Sequence, residues 1–215
     1  MALSEKLISS LKNLNLDSAY VESIARQAIA EDLAGGEDVT SQATIPAGQQ
    51  AVAEYVTRKP GVIAGLNIAA AVLECEGINE YEILVSEGSQ VDAGRAVLRA
   101  KGDTRKLLLT ERTALNFLGR LSGIATLTNR WVTELKGTSA KVRDTRKTTP
   151  LFREFEKFAV RMGGGENHRM SLSDVAMIKD NHIVAAGSIE NAFRAVRSKY
   201  PNLPIEVEID SIDQI

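Results

Sequence analysis

Three times after residue 137 the chain passes from a short extended run, through a loop, into a helical stretch, and that succession limits the folds open to it. The extended runs are residues 140–144, 175–179 and 205–210; residues 150–162 and 188–200 read as helices, and a third helix starts at Ser211. Strands alternating with helices at this spacing specify a parallel sheet or a (β/α) barrel. The last run decides between the two. In Ile205-Glu206-Val207-Glu208-Ile209-Asp210 the apolar residues share one face and three carboxylates the other. An open sheet covered by helices on both sides requires apolar residues on both faces, whereas a barrel with a polar interior accommodates the carboxylates. Lys141, Arg143 and Lys179 can then supply the opposite charge that buried carboxylates require. In such barrels the catalytic groups lie at the C-terminal ends of strands and in the loops that follow. Arg146, Lys147, Lys179, Glu208 and Asp210 fall there. Three strands do not close a barrel. The expectation is therefore a barrel domain that is incomplete in this chain, which ends one residue after the capping-box spacing of Ser211 and Gln214.

The first half reads differently. Helical apolar spacing over residues 3–32 breaks at Gly35-Gly36, giving two short helices. Residues 51–58 then read as a strand, Pro60-Gly61 as a turn, 67–76 as a helix, and 81–86 and 96–100 as strands. Residues 104–135 form the longest helical stretch, with a bend or split expected at Gly119 and near Ser122-Gly123. The organisation expected is an α+β N-terminal domain over residues 1–110, a helical bridge over 111–137, and the first part of an α/β (β/α) barrel domain over 138–215.

Charge is concentrated in one place. Residues 139–182 hold nine Lys and Arg against six Asp and Glu, a local excess of +3 in a chain of net charge −2, together with both histidines. A pI of about 5.8 and 5% aromatic residues leave no basic, aromatic-lined face for nucleic acid. No run of about 18 apolar residues spans a membrane, and the start has no leader pattern, so a cytoplasmic protein is expected. Cys75, the single cysteine, lies in a helix-former run and reads as a small buried side chain.

Within the cationic segment, Asp144-Thr145-Arg146-Lys147-Thr148 follows a strand and precedes Pro150, a favoured first residue of a helix. Guanidinium groups bind carboxylate or phosphate through paired hydrogen bonds, and an ammonium adds a compact charge. The alternative is a solvated turn paired with Asp144 and Glu154. Gly163-Gly164-Gly165-Glu166-Asn167-His168-Arg169 favours the binding reading, because glycines let a main chain approach a ligand closely. One histidine without cysteine makes no zinc pattern, and no Gly-Lys-Ser/Thr closes a phosphate loop. Asp180, Asn181 and His182 read as an ordinary polar strand end. Lys179 shares a face with Val175 and Met177 and needs an anion.

Together, Glu111-Arg112-Thr113-Ala114-Leu115-Asn116, Ser122-Gly123-Ile124-Ala125-Thr126, Arg143-Asp144-Thr145-Arg146-Lys147-Thr148, the three glycines with Asn167-His168-Arg169, Ile178-Lys179-Asp180-Asn181-His182 and Glu206-Val207-Glu208 resemble the quinolinate phosphoribosyltransferase family. The resemblance implies transfer of phosphoribose from 5-phosphoribosyl-1-pyrophosphate to quinolinate, with Mg²⁺, giving nicotinate mononucleotide, pyrophosphate and CO2. It implies that Thr145, Arg146, His168, Arg169 and Lys179 bind the carboxylates and neighbouring phosphates, and that Lys147 lies near the ring and the pyrophosphate. Glu208 would face the ribose and help to place the magnesium, and Arg112 would come from the partner in a homodimer. The family pattern continues through further βα units, and it usually has Pro-Gly where this chain has Pro150-Leu151. Two other functions remain open: a related phosphoribosyltransferase for another aromatic acid, and a non-catalytic binding or regulatory half-barrel.

Overall fold

Ser4 sets the first helix, its hydroxyl accepting from Leu7 N at 3.2 Å. The structure, a computed structural model, describes residues 2–215. In α1 (Glu5–Asn13) Leu7 and Leu11 are buried, and in α2 (Ser18–Leu33), capped by Asp17, so are Val21, Ala25 and Ile29. This spacing is that of an amphipathic helix facing a core, as the sequence predicts. A short α3 (Val39–Thr44), capped by Asp38, is an addition to that expectation. The chain continues through β1 (Gln50–Val56), β2 (Gly61–Val62), α4 (Leu66–Cys75), β3 (Glu80–Ile83), β4 (Gln90–Val91), β5 (Ala96–Asp103) and α5 (Thr104–Glu134). Strands β1, β5 and β3 form one antiparallel sheet in that order, and β2 pairs with β4.

All ten residues of α4 are buried. Its N-cap, Gly65, has φ +103° and no side chain to cap with. Glu87 does so instead, accepting from Gly65 N at 2.8 Å and from Asn67 N at 3.0 Å. Near the other end Glu74, 3% exposed, accepts from Ser4 N, the Ser4 hydroxyl and the Tyr81 hydroxyl at 2.6–2.7 Å. One buried carboxylate thus ties α1 and β3 to the central helix, and its partners are what make that burial tolerable.

The long helix α5 is not split. Gly119 and Gly123 sit inside it, and the side chains between and beyond them hold it in place: Ser122 Oγ accepts from Ala64 N at 3.0 Å and Thr126 Oγ1 from Val62 N at 2.9 Å. Burial of Leu118, Leu121 and Ala125 outweighs the roughly 1 kcal/mol that each interior glycine costs.

Beyond α5 the elements are α6 (Arg153–Met162), β6 (Ala176–Ile178), α7 (Asp180–Ala186), α8 (Ile189–Lys199) and β7 (Ile205–Val207), followed by a 3-10 turn at Ile212–Gln214. Strands β6 and β7 are parallel, with Met177 opposite Glu206. The α/β character expected of this half is present, with differences in detail. Residues 140–144 form no ladder, only a single parallel bridge between Arg143 and Glu166. Asp180, Asn181 and His182 do not end a strand but begin α7, where His182 Nδ1 accepts from Lys179 N at 3.0 Å. Pro150 does not begin α6 either, because Leu151 adopts φ +61° and the helix cannot start until Arg153.

The chain divides into two compact units. The first comprises the chain up to Asp144 together with Thr148–Asn167, and the second Thr145–Lys147 with His168–Ile215. Among the described residues no helix is long and apolar enough to cross a membrane.

Two predictions follow from strained or buried positions. Leu151 is 75% exposed, so its left-handed backbone costs energy that little burial offsets. Leu151→Gly is expected to raise stability by about 0.5–1 kcal/mol in urea unfolding, and Leu151→Ala, which keeps the Cβ, to give no gain. Burial pushes the Glu87 carboxyl above its ordinary value, and the N–H groups of Asn67 and Gly65 pull it only part of the way back. Folding therefore favours its protonated form. Its contribution is complete below an ordinary Glu pKa of about 4.3 and is lost as pH rises through the raised value. Urea midpoints should show wild type losing stability relative to Glu87→Gln as pH rises above the ordinary Glu value of about 4.3. A constant difference would contradict this.

Candidate active site

Of the candidate substrate-binding residues, all but Arg112 fall in the second unit, while Lys141 and Arg143 fall in the first. Strand alternation explains much of their arrangement. Because Met177 lies opposite Glu206 in the parallel register, Lys179 and Glu208, two residues further on, reach the same face. Lys179 Nζ donates to Glu208 Oε1 at 3.2 Å. The ladder itself continues that far, since Glu208 N donates to Ile178 O at 2.9 Å.

Glu206 lies on that face too, and its partner is His168, with Nε2 and Oε2 2.7 Å apart. Of the residues expected to supply opposite charge, Lys179 meets Glu208, whereas Lys141 pairs with Glu166 and a histidine serves Glu206. Asp210 is exposed, and its backbone N donates to Gln214 Oε1 at 2.6 Å. Glu206 was visible in the sequence only as one of three alternating carboxylates, and nothing in the spacing linked it to His168.

Arg169 NH1 donates to Val175 O at 2.7 Å. The turn after it is closed by Asp174, which accepts from Met170 N at 2.8 Å and Ser171 N at 3.0 Å. Hydrogen bonds from the Ser171 side chain and these N–H groups hold the Asp174 carboxyl below its usual range. In the other loop Thr145 Oγ1 accepts from Lys147 N at 3.0 Å, Arg146 is half-buried and Lys147 exposed. Arg112, the exception, is exposed on α5 in the first unit.

The glycine run has a different role from the one expected. A Cβ on Gly163 would lie 2.4 Å from Ala125 O, and one on Gly165 would lie 2.9 Å from Thr128 Cγ2. These glycines let the chain pass against α5, so packing requires them rather than close approach to a ligand.

Within the first unit, the residues that flank these loops in sequence are held by side chains the sequence did not single out. Lys157, with no side-chain exposure, forms an ion pair with Asp144. Asn167 Nδ2 donates to Asp144 Oδ2 at 2.5 Å and to Lys157 O at 2.8 Å. Thr149 N donates to Glu156 Oε2 at 3.2 Å, and Arg153 Nε to Thr148 Oγ1 at 3.2 Å. The signal was the helical spacing of Arg153, Glu156 and Lys157, which puts three charges on one side of α6.

Arg146, Lys147, Arg169 and Lys179 put four cations in the second unit's loops and strand ends, alongside the acids Asp174, Glu206, Glu208 and Asp210. Several cations of this kind suit a ligand with at least two negative charges. Among the described residues no three His, Cys, Asp or Glu side chains converge on a metal position.

Comparison with known proteins gives a consistent result. Residues 38–122 match a family model described as the quinolinate phosphoribosyl transferase N-terminal domain, and residues 124–215 match its C-terminal domain. The chain is 50% identical over 193 residues to the carboxylating nicotinate-nucleotide pyrophosphorylase of Mycobacterium leprae, covering 88% of this chain and 68% of that protein. It is 41% identical over 197 residues to a probable enzyme of the same name from Methanothermobacter thermautotrophicus, again spanning 68% of its length. Among solved structures, NadC from Streptococcus pyogenes superposes with a TM-score of 0.87 at 39% identity, over 93% of this chain and 72% of that one. With both domain models matched in order, and the two-domain fold shared, the chain belongs to the quinolinate phosphoribosyltransferase family.

Proposed function

We propose that this chain transfers the phosphoribosyl group of 5-phosphoribosyl-1-pyrophosphate to quinolinate with loss of CO2, giving nicotinate mononucleotide and pyrophosphate. The observation that carries this reading is the placing of four cations, Arg146, Lys147, Arg169 and Lys179, in the loops and strand ends of the second unit. Quinolinate brings two carboxylates and the sugar substrate a phosphate and a pyrophosphate, so both need several cations in one place. A monocarboxylate substrate would leave part of that charge unmatched, which favours the dicarboxylate over a related aromatic acid.

Arg146, His168, Arg169 and Lys179 bind the substrate anions, and Thr145 orders the loop through its bond to Lys147 N. The ring nitrogen forms a bond to C1 of the ribose as the bond from C1 to the pyrophosphate oxygen breaks, and Lys147 steadies the departing negative charge. When Lys179 turns to a substrate anion, Glu208 is released from its 3.2 Å contact and faces the positive charge developing on the ribose. The ribosylated nitrogen is cationic and accepts the electron pair left when the adjacent carboxylate departs as CO2; a proton from solvent then fills that ring position.

Mg²⁺ is held by one or two carboxylates plus substrate phosphates and water rather than by an all-protein cage. The residues present fit such an ion: Glu208 is exposed, and a bound ion would neutralise the leaving pyrophosphate. The same reading includes a homodimer in which the exposed Arg112 reaches the partner's site, and a cytoplasmic setting.

Calorimetric titration with quinolinate tests the binding half of this reading. Arg146→Ala and Arg169→Ala are each expected to weaken binding by roughly 10- to 100-fold, the loss of one charge-assisted contact, with the urea midpoint unchanged. A variant that unfolds while its folded fraction binds normally would remove the role given to that arginine. Appearance of nicotinate mononucleotide from both substrates with Mg²⁺ tests the other half; binding without turnover would instead favour a binding or regulatory protein. The Lys179–Glu208 pair is half exposed, so Lys179→Met should change stability by no more than about 1 kcal/mol, and a larger loss would make that lysine structural.

A further inference from the structure

Lys157 is fully buried, and its ammonium is held by Asp144, itself 7% exposed at the side chain. Stability alone is a weak reason for such a pair, because an apolar side chain of similar volume does as well in a protein interior. A buried pair does, however, confine its members: Asp144 cannot change rotamer without leaving a charge unpaired in a medium of low dielectric.

Asp144 and Asn167 are the residues at which the chain leaves the first unit. Asp144 is followed directly by Thr145, Arg146 and Lys147, and Asn167 by His168 and Arg169. Asn167 joins the two exits: its amide donates to Asp144 at 2.5 Å and to Lys157 O at 2.8 Å, while Arg161 NH1 donates to its carbonyl at 2.6 Å. Backbone bonds run alongside, Asp144 N to Glu166 O at 3.1 Å and Glu166 N to Val142 O at 2.8 Å. At the far end of the first loop, Arg153 holds Thr148 and Glu156 holds Thr149 N, both from the side of α6 that carries Lys157.

We infer that Lys157 is a positioning residue for the anion-binding loops, acting through Asp144 and Asn167 and touching no substrate itself. The inference rests on the proposed function of those loops. Its physical basis is that anion recognition by a guanidinium is directional, so a displacement of about 1 Å in the backbone that carries it can cost up to roughly 100-fold.

A double-mutant cycle on the full chain, read by calorimetry with quinolinate, tests it. The paired variant Lys157→Met with Asp144→Asn removes both charges together, so neither is left orphaned, and residue 144 can still accept from Asn167. It is expected to melt cooperatively and to bind quinolinate at least tenfold more weakly. Combined with Arg146→Ala, its effect should fall well short of the product of the separate losses, because a loop lacking its arginine has less to misplace. General loosening of the fold would instead leave the losses multiplicative. Should the paired variant not fold, Asn167→Ala leaves the ion pair in place and loosens only the bridge. It is then expected to weaken binding and to show the same non-additivity. Wild-type affinity in whichever variant folds, or multiplicative losses, overturns the inference. If wild type itself binds no quinolinate, the functional reading fails and this one with it, an outcome distinct from a variant that binds as wild type does.

Discussion

A lysine with none of its side chain in water is the constraint from which the arrangement of the loops follows. Lys157 can be accommodated in α6 only if an anion meets it, and Asp144 is that anion. Asp144 is then confined, Asn167 is fixed against it, and the glycines at 163 and 165 are needed so that the intervening chain can pass against α5. One buried charge thus joins the two residues that precede the cationic loops. Phe155, Phe158 and Ala159 on the same helix are also buried, so the helix that supplies core packing also carries the buried ion pair.

In the second unit the organising element is the parallel register of β6 and β7. It sets Glu206 and Glu208 on one face and brings Lys179 to the second of them, while His168 meets the first. Each carboxylate has a basic partner that an incoming anion can compete for. The Lys179–Glu208 pair, half-exposed, costs little to open.

What could be read in the sequence, and what could not, follows from the range of the signals. Helices α1 and α2 and strands β1 and β5 were legible because their apolar periodicity runs over several turns or residue pairs. Helices α3 and α7, of six and seven residues, are too short to show a period. Lys141-Val142-Arg143 alternates as a strand does, yet it lacks a neighbouring strand and makes one bridge only. Family motifs identified the cations at 146, 147, 169 and 179. They did not identify Lys157, because a lysine in a charged helical run looks solvated until the packing around it is known. Leu151 illustrates the same limit: the departure from Pro-Gly was visible, but the left-handed backbone that makes glycine the natural residue there was not.

The central claim is that the four cations Arg146, Lys147, Arg169 and Lys179 select a ligand with two acid groups. Comparing the affinities of quinolinate and nicotinate for the wild-type chain, by calorimetry under one set of conditions, tests this directly, since the two ligands differ by a single carboxylate. The account predicts quinolinate to bind at least tenfold more tightly, the value of one charge-assisted contact. Equal affinity, or a preference for nicotinate, would contradict it.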